Sequence, residues 1–293
     1  MKHFLILLTL TFFFSGLKAA TPLTVDGLTY YMPLNYNHSK YRQDSFTIGN
    51  YAYVGIGLKH SVEAEIDYSK LRYQFGNRKD EFDQWDFSFI YNYYTANSWK
   101  YIAGLHYIKI DDPRSDNSVT FFGGFSRYAP YQWNMQVQAY FSAYPNYRPR
   151  LAAYQVTPQI GFHIGNRIRS SLYFAARFYY IHLSEALSFG KQDFFSLESE
   201  LIYTINRLDI IINGWAGEQA FSVNNSGLLV SNIEELYKGG YGGALVMRLT
   251  RNFRLKGGAQ AEVFRDLFFP GLPVENNEAT AIKYLLAIGW NFK

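Results

Sequence analysis

The chain has 293 residues, 28 of them basic and 24 acidic, with 19% aromatic side chains, no cysteine and a mean hydropathy of −0.18. Charge so nearly balanced gives no electrostatic case for nucleic acid. The missing thiols close the disulfide, thiolate-metal and lipid-anchor readings, and a hydropathy this low argues against a bundle of membrane-spanning helices.

Residues 1–20 read as a secretory signal: Lys2 and His3, an apolar run from Phe4 to Phe14, then small residues that place cleavage near Ala19 or Ala20. The apolar run is too short to span a bilayer, which takes about twenty helical residues. Residues 21–293 form a single domain in this reading. Losing Lys2 and Lys18 with the signal leaves 26 basic against 24 acidic residues.

After the signal, alternating segments of nine to eleven residues follow one another, the length a tilted membrane strand requires. In the first, roughly Leu23 to Leu34, Leu28, Tyr30, Met32 and Leu34 share a face. The second sets Ala52, Val54, Ile56 and Leu58 against Tyr51 and Tyr53. The third sets Val62, Ala64, Ile66 and Tyr68 against Glu63, Glu65 and Asp67. The phase then slips, with Leu71, Tyr73 and Phe75 resuming three residues after Tyr68, which predicts a β-bulge. The fourth segment carries Trp85, Phe87, Phe89, Tyr91 and Tyr93, and the fifth Trp99, Tyr101, Ala103, Leu105 and Tyr107. The sixth carries Val119, Phe121 and Phe125, and the seventh Trp133, Met135, Val137, Ala139 and Phe141. In the eighth, Pro158 interrupts the outward row Tyr154 to Phe162 and predicts a bulge or an unpaired carbonyl. The ninth sets Leu172, Phe174, Ala176, Phe178 and Tyr180 against Arg169 and Arg177. The tenth sets Phe195, Leu197, Leu201 and Tyr203 against Glu198 and Glu200. Leu208, Ile210 and Ile212 mark the eleventh, Tyr241, Leu245 and Met247 the twelfth, and Phe253, Leu255, Ala259, Ala261 and Val263 the thirteenth.

In the last segment, Thr280 to Phe292, residues Ile282, Tyr284, Leu286, Ile288, Trp290 and Phe292 fall on one face. This stretch resembles the C-terminal signal of bacterial outer-membrane β-barrels, with Tyr284, Trp290 and Phe292 as its assembly residues, although Lys293 follows the terminal aromatic. The resemblance implies a Gram-negative outer-membrane location, contact with outer-membrane lipid and lipopolysaccharide, and handling by the barrel-assembly machinery. Monomeric fourteen-stranded porins have about this length. Long-chain fatty-acid transporters share the strand count but carry an N-terminal plug for which Thr21 to Leu34 leaves no room.

The connections alternate in length. Those around His60, Asn97, Pro130, Asn166, Asn206 and Asn252 are tiny, whereas Gly76 to Gln84, Asp111 to Ser118, Ser184 to Asp193, Gln219 to Gly239 and Asp266 to Ala279 are longer and polar. Short turns at one end and long loops at the other belong to an outer-membrane barrel, while a Greek-key sandwich has no reason to keep that asymmetry. The fold expected is an all-β, transmembrane, antiparallel up-and-down barrel of about fourteen strands, twelve being the alternative count.

The polar faces then line a lumen. Its candidate residues are an acidic wall of Glu63, Glu65, Asp67 and Asp86, a basic wall of Arg248, Arg254, Lys256 and Lys283, and Arg169, Arg177, Glu198 and Glu200 between them. Separated walls would set a field across a pore; paired charges would merely satisfy one another. Gln132, Gln136, Gln138, Gln155 and Gln159, with Tyr140 and Tyr173, form a neutral strip suited to sugars or to solvated filler. His106 and His163 share the lumen face but define no metal site, and no cofactor motif is present.

His182 and Ser184, two residues apart on the lipid face, are similar to the His-x-Ser core of outer-membrane phospholipases and lipid A deacylases. Glu185-Ala186 stands where the phospholipase pattern has Asn-Gly, and Glu198 and Glu200 face the wrong way to serve as the acid. Leu228, Leu229, Val230, Phe268, Phe269 and Leu272 are loop residues that would fold over the mouth or meet a partner. The function expected is passive diffusion of small hydrophilic solutes, with no enzymatic activity. A plugged structural or adhesive barrel, and a lipid-active hydrolase, are the alternatives.

Overall fold

The computed structural model describes residues 22–75, 78–166, 170–265 and 278–292. The secretory signal, Arg169, Lys293, Phe268, Phe269 and Leu272 lie outside the described residues. Sixteen strands follow in chain order: β1 (Leu23–Asn37), β2 (Arg42–Ile56), β3 (His60–Phe75), β4 (Arg78–Tyr94), β5 (Trp99–Ile110), β6 (Ser118–Ala129), β7 (Trp133–Tyr144), β8 (Leu151–Asn166), β9 (Ser170–Leu183), β10 (Asp193–Ile205), β11 (Leu208–Gln219), β12 (Val223–Asn224), β13 (Leu229–Val230), β14 (Leu236–Arg248), β15 (Phe253–Arg265) and β16 (Glu278–Phe292). Fourteen of them close a barrel in which each pairs antiparallel with its neighbours, and β1 pairs with β16. The two-residue strands β12 and β13 pair only with each other.

Period-two alternation decides the faces. Phe87, Phe89, Leu105, Phe121, Met135, Phe174, Leu197, Leu245 and Leu286 are exposed on the outside, forming the apolar belt that a lipid environment requires. In the first segment the shared face of Leu28, Tyr30, Met32 and Leu34 proves to be the inner one. Tyr31 is exposed on the outside, whereas Tyr30 donates to Glu65 and Leu34 is buried in the interior. The row Leu28–Leu34 therefore points inward, because the barrel encloses apolar as well as polar side chains.

Two further expectations are corrected, and a third is decided between its alternatives. The phase slip after Tyr68 is not a bulge in β3, whose register with β4 is unbroken from His60 to Phe75. There the hairpin rises out of the lipid belt, so polar side chains turn outward. Lys70 bonds Glu81 at 2.7 Å and Arg72 bonds Glu81 at 3.2 Å, while Tyr73 turns inward and is buried. The same extension replaces the long loop expected over Gly76 to Gln84, since Arg78 to Gln84 is strand. At Pro158, of the bulge or unpaired carbonyl expected, it is the lost pairing that occurs. The β8–β9 pairing lapses at Thr157 and Pro158 and resumes at Gln159 in the same register, as it must where a residue offers no N–H.

The bulges sit elsewhere. The β2–β3 register shifts between Arg42 and Asp44, and that of β14 with β15 shifts between Tyr237 and Gly239. Each extra residue reverses the parity of what lies beyond it. Arg42 and Tyr237 are thereby aimed into the interior, against expectations from simple alternation.

The core lies inside the barrel. Ile90, Ile102, Ile108, Phe122 and Tyr140 form one buried cluster, and Tyr144, Leu151, Ile181, Leu183, Phe194 and Phe221 a second. Leu34, Phe264, Ala279 and Ala281 form a third. The second and third gather toward the end of the barrel opposite the chain termini, where the longer connections lie, while the first reaches down to Ile90 and Ile102 near the short turn between β4 and β5.

Candidate functional site: the lumen and its inner segment

The connection from β11 to β14 does not extend outward. Ala220, Phe221, Ser222 and Val223 are fully buried, as are Asn232 and Glu235 farther along. In the order around the barrel, β11 stands opposite β4, yet the segment reaches that far wall. Asn232 Nδ2 donates to Gln84 Oε1 on β4 at 3.1 Å, and the Gly227 carbonyl lies 3.2 Å from His106 Nδ1 on β5. On β8, Gln155 holds Val223 twice, donating to its carbonyl at 2.7 Å and accepting from its N–H at 2.8 Å. Ser115 donates to the Asn232 carbonyl at 2.6 Å. The segment therefore crosses the lumen.

Its tip is shaped by three successive left-handed residues, Asn225, Ser226 and Gly227, with φ of 49°, 57° and 99°. Gly227 is needed for contact as well as for its φ, since a Cβ there would sit 2.2 Å from the Phe122 ring. Val223 and Val230 join the cluster of Ile90, Ile108 and Phe122, with Leu228 packed against it. Leu228 and Val230, expected to fold over the mouth or meet a partner, instead enter the lumen and pack against the barrel's own inner wall. Leu229 remains exposed.

The base of the segment is pinned by charge. Glu235 pairs with Arg42, both nearly inaccessible, and the guanidinium lies 5.2 Å from the ring centroids of Tyr36 and Phe264 and 5.5 Å from that of Tyr73. Glu234 accepts from Arg114 at 3.4 Å and from the Ser188 N–H at 3.0 Å. None of these partners was legible as a pair, because the bulge that turns Arg42 inward has no sequence signature.

Beneath the segment the wall is polar. His106 Nε2 donates to Asp86 at 3.0 Å and its Nδ1 meets the Ser88 hydroxyl at 2.6 Å. From Asp86 and Asp67, which are register partners, Glu65 and Glu63 descend along β3. Tyr30 donates to Glu65 at 2.7 Å; Tyr51 and Asn92 donate to Glu63, each at 2.8 Å.

The basic wall is not a free wall. Arg254 grips Asp26 with both terminal nitrogens, at 3.0 and 2.5 Å, across the closing seam, where Asn291 also donates to Asp26. Lys283 pairs with Glu262, and Arg248 with Asp209, each at 2.5 Å. Arg177 bridges Glu198 at 2.7 Å and Glu200 at 3.2 Å. Of the two arrangements open to these charges, the basic residues take the paired one: Arg248, Arg254, Lys283 and Arg177 are neutralised where they stand, and Lys256 alone of the basic set has no ion pair among the described residues. Asp26, the partner of Arg254, was missed because the first segment gave no clear face.

The glutamine strip is also largely spoken for. Gln136 donates to Gln138 at 2.7 Å, Gln159 accepts from Arg177 at 2.7 Å, Gln155 serves the crossing segment, and Gln132 lies in a turn. His163 packs against Tyr173, with ring centroids 4.4 Å apart and the planes tilted by 34°. Among the described residues no three His, Asp or Glu side chains converge as a metal site.

On the outer face, His182 Nδ1 lies 2.9 Å from Asp193, which also accepts from Tyr180 at 2.8 Å. Asp193 shares the parity of Phe195 and Leu197, so an outward acid was legible and was overlooked in favour of Glu198 and Glu200. Below it, Val156, Pro158, Phe178, Tyr180, Asp193 and Phe195 line an open groove of about 700 Å³. The Ser184 oxygen accepts the Ala152 N–H at 2.9 Å, so this hydroxyl serves the β8–β9 ladder.

Tyr284 and Phe292 are exposed on the outside of β16, and Trp290 lies on that same face over Gly27 of β1, where a Cβ would meet its ring at 2.1 Å. The residues read as an assembly signal thus include one that covers the barrel seam.

No family model matches the sequence, and no curated protein matches it. Solved structures do share the fold. A TodX deletion mutant, a monoaromatic hydrocarbon channel, is 8% identical over 93% of this chain and 91% of its own, with a TM-score of 0.55. A bacterial polysaccharide outer membrane secretin is 11% identical over 92% and 98%, with a TM-score of 0.52. A FadL homologue of Pseudomonas aeruginosa is 8% identical over 93% and 90%, with a TM-score of 0.50. At such identities the likeness is one of architecture. The fold is that of bacterial outer-membrane barrels.

Proposed function

We propose that this protein is a passive outer-membrane channel for small hydrophilic solutes, narrowed by the segment 220–235. The observation that carries this reading is a contrast along the lumen. Toward the long-loop end, inward side chains such as Ile108, Ile181, Leu183 and Phe264 are wholly buried, whereas beneath the segment Glu63, Glu65, Arg177, Glu200, Lys256 and Lys283 keep part of their surface accessible. A barrel serving only as a wall gains nothing from charged side chains around an open interior, since hydrocarbon of the same volume fills that space without desolvation cost.

In this reading the apolar belt meets outer-membrane lipid and lipopolysaccharide, and β16 is the strand the assembly machinery reads. The charged and polar lining sets which hydrophilic solutes enter. A second reading, a sealed structural barrel, is favoured by the segment's crossing from β11 to the opposite wall.

The two separate in a planar bilayer. The mature protein, refolded and reconstituted, is expected to give discrete open-channel current steps and to let arabinose swell proteoliposomes. A folded barrel that passes neither current nor arabinose sinks the channel reading and leaves the sealed one.

A further inference from the structure

We propose that Glu63, Glu65 and Asp67 on β3 form a binding track for small organic cations, diamines in particular, so that the lumen passes ammonium-bearing solutes in preference to anions. The proposal rests on the channel reading above and names its substrate class.

The three carboxylates occupy alternate positions on one strand, so they stand about 6.6 Å apart along it and all face the interior. Their hydrogen bonds come from neutral donors only: Tyr51 and Asn92 on Glu63, and Tyr30 on Glu65. Lys100, on the same inner surface, lies over the Tyr94 ring at 5.8 Å. Of the other lumen bases, Arg254, Lys283, Arg248 and Arg177 are committed to Asp26, Glu262, Asp209 and the Glu198–Glu200 pair, and Lys256 on β15 has no ion pair among the described residues.

A second observation points to a ligand. Glu65 Oε2 and Asp67 Oδ1 are buried and have no hydrogen-bond partner, and Asp67 retains only 8% of its surface. A buried carboxylate oxygen left without a donor is costly, and folded proteins rarely leave one so. Gly49 makes the recess into which Asp67 leans, for a Cβ there would lie 2.0 Å from Asp67 Oδ1. The track therefore offers negative charge and vacant acceptor positions in a row, and supplies no donors.

The required ligand chemistry follows. It must carry positive charge and N–H donors, and two charges spaced by a short chain would meet two carboxylates of the row at once. A metal ion fits less well, because no three such groups converge on one point among the described residues. An ammonium brings three donors on one charge, and charge-assisted bonds to carboxylates are the stronger kind.

The test uses the reconstituted full-length barrel in a potassium chloride gradient, then with putrescine as the only cation on one side. The wild type is expected to show a cation-over-anion permeability ratio several-fold above one and to carry putrescine current. The variant E63Q/E65Q/D67N, checked as folded by heat-modifiable mobility, is expected to bring the ratio near one and to lose most putrescine current. E65Q alone is expected to move both in the same direction by a smaller amount. A wild type that conducts and passes arabinose without cation preference overturns the track but leaves the channel. The same holds for a preference that survives all three substitutions. A folded wild type without current or arabinose uptake overturns both.

Discussion

Replacing Gly227 by valine tests whether the crossing segment bounds the passage. Gly227 has φ of 99° and its missing Cβ leaves room for Phe122, whose ring atoms would lie 2.2, 2.3 and 2.8 Å from that carbon. A side chain in left-handed backbone costs about 1–2 kcal/mol, and overpacking against a fixed ring about 1–3 kcal/mol more. The strain is thus about 2–5 kcal/mol. The tip itself is held by the polar contact of the Gly227 carbonyl with His106, at 3.2 Å, and by apolar contact with Phe122. A hydrogen bond contributes about 1 kcal/mol net, so the tip yields before the stems, where Gln155 holds Val223 twice and Ser115 holds Asn232. The expected outcome of G227V is a barrel as resistant to thermal unfolding as the parent but with larger single-channel steps. In F122A/G227V the clash is gone and the steps return toward the parent value. A G227V channel with parental conductance and gating refutes the reasoning, because it shows that the tip does not limit the passage.

Other substitutions reach different parts of the molecule. R42A is expected to cost about 3–5 kcal/mol, since it strands the buried Glu235 carboxylate and removes the cation from among three rings; R42M/E235L recovers much of this, as read by the temperature at which the folded band is lost on gels. G27A displaces Trp290 from the seam and is expected to cost about 1–3 kcal/mol by the same assay, with G27A/W290A less affected than G27A. For Asp116, in the loop after β5, burial pushes the carboxyl up, but Lys109 and the Ile110 N–H more than offset it and hold it below its ordinary value. A depressed carboxylate contributes stability above its unfolded pKa and loses it as pH falls through the lower folded value. The Ile110 amide is therefore expected to gain hydrogen-exchange protection above pH 4 relative to D116N and to lose that difference in stronger acid.

Alternation carried the fold wherever a strand lies in the lipid belt, because there one face must be apolar and the other is free to be polar. It failed where that constraint ends. The stretch after Tyr68 read as a bulge, and Glu81 and Asp83 as loop, because outward positions turn polar once the hairpin leaves lipid. The crossing segment was recognisable as apolar at Leu228 and Val230, but not as an insertion. The clue was on the other side, in Ile102, Ile108, Ile110 and Phe122, apolar residues on a face assigned to water. The acidic row was readable in full, since its positions follow from parity alone. The pairing of the basic residues was not, because Arg254 meets Asp26 across 228 positions of chain.

The seam between β1 and β16 also sets a time order on folding. Every other barrel pair joins strands that follow one another along the barrel wall, most of them through short turns, so hairpins gather locally and quickly. The seam alone requires the two ends of the sheet to meet, which is the slowest kind of contact to make. Until Trp290 covers Gly27 and Asp26 receives Arg254 and Asn291, β1 and β16 are open edges, ready to pair with any other strand. A chain that stops short of β16 leaves β1 and β15 unpaired permanently and is exposed to aggregation and proteolysis. The fifteen residues of β16 thus decide whether the sheet has any edge at all.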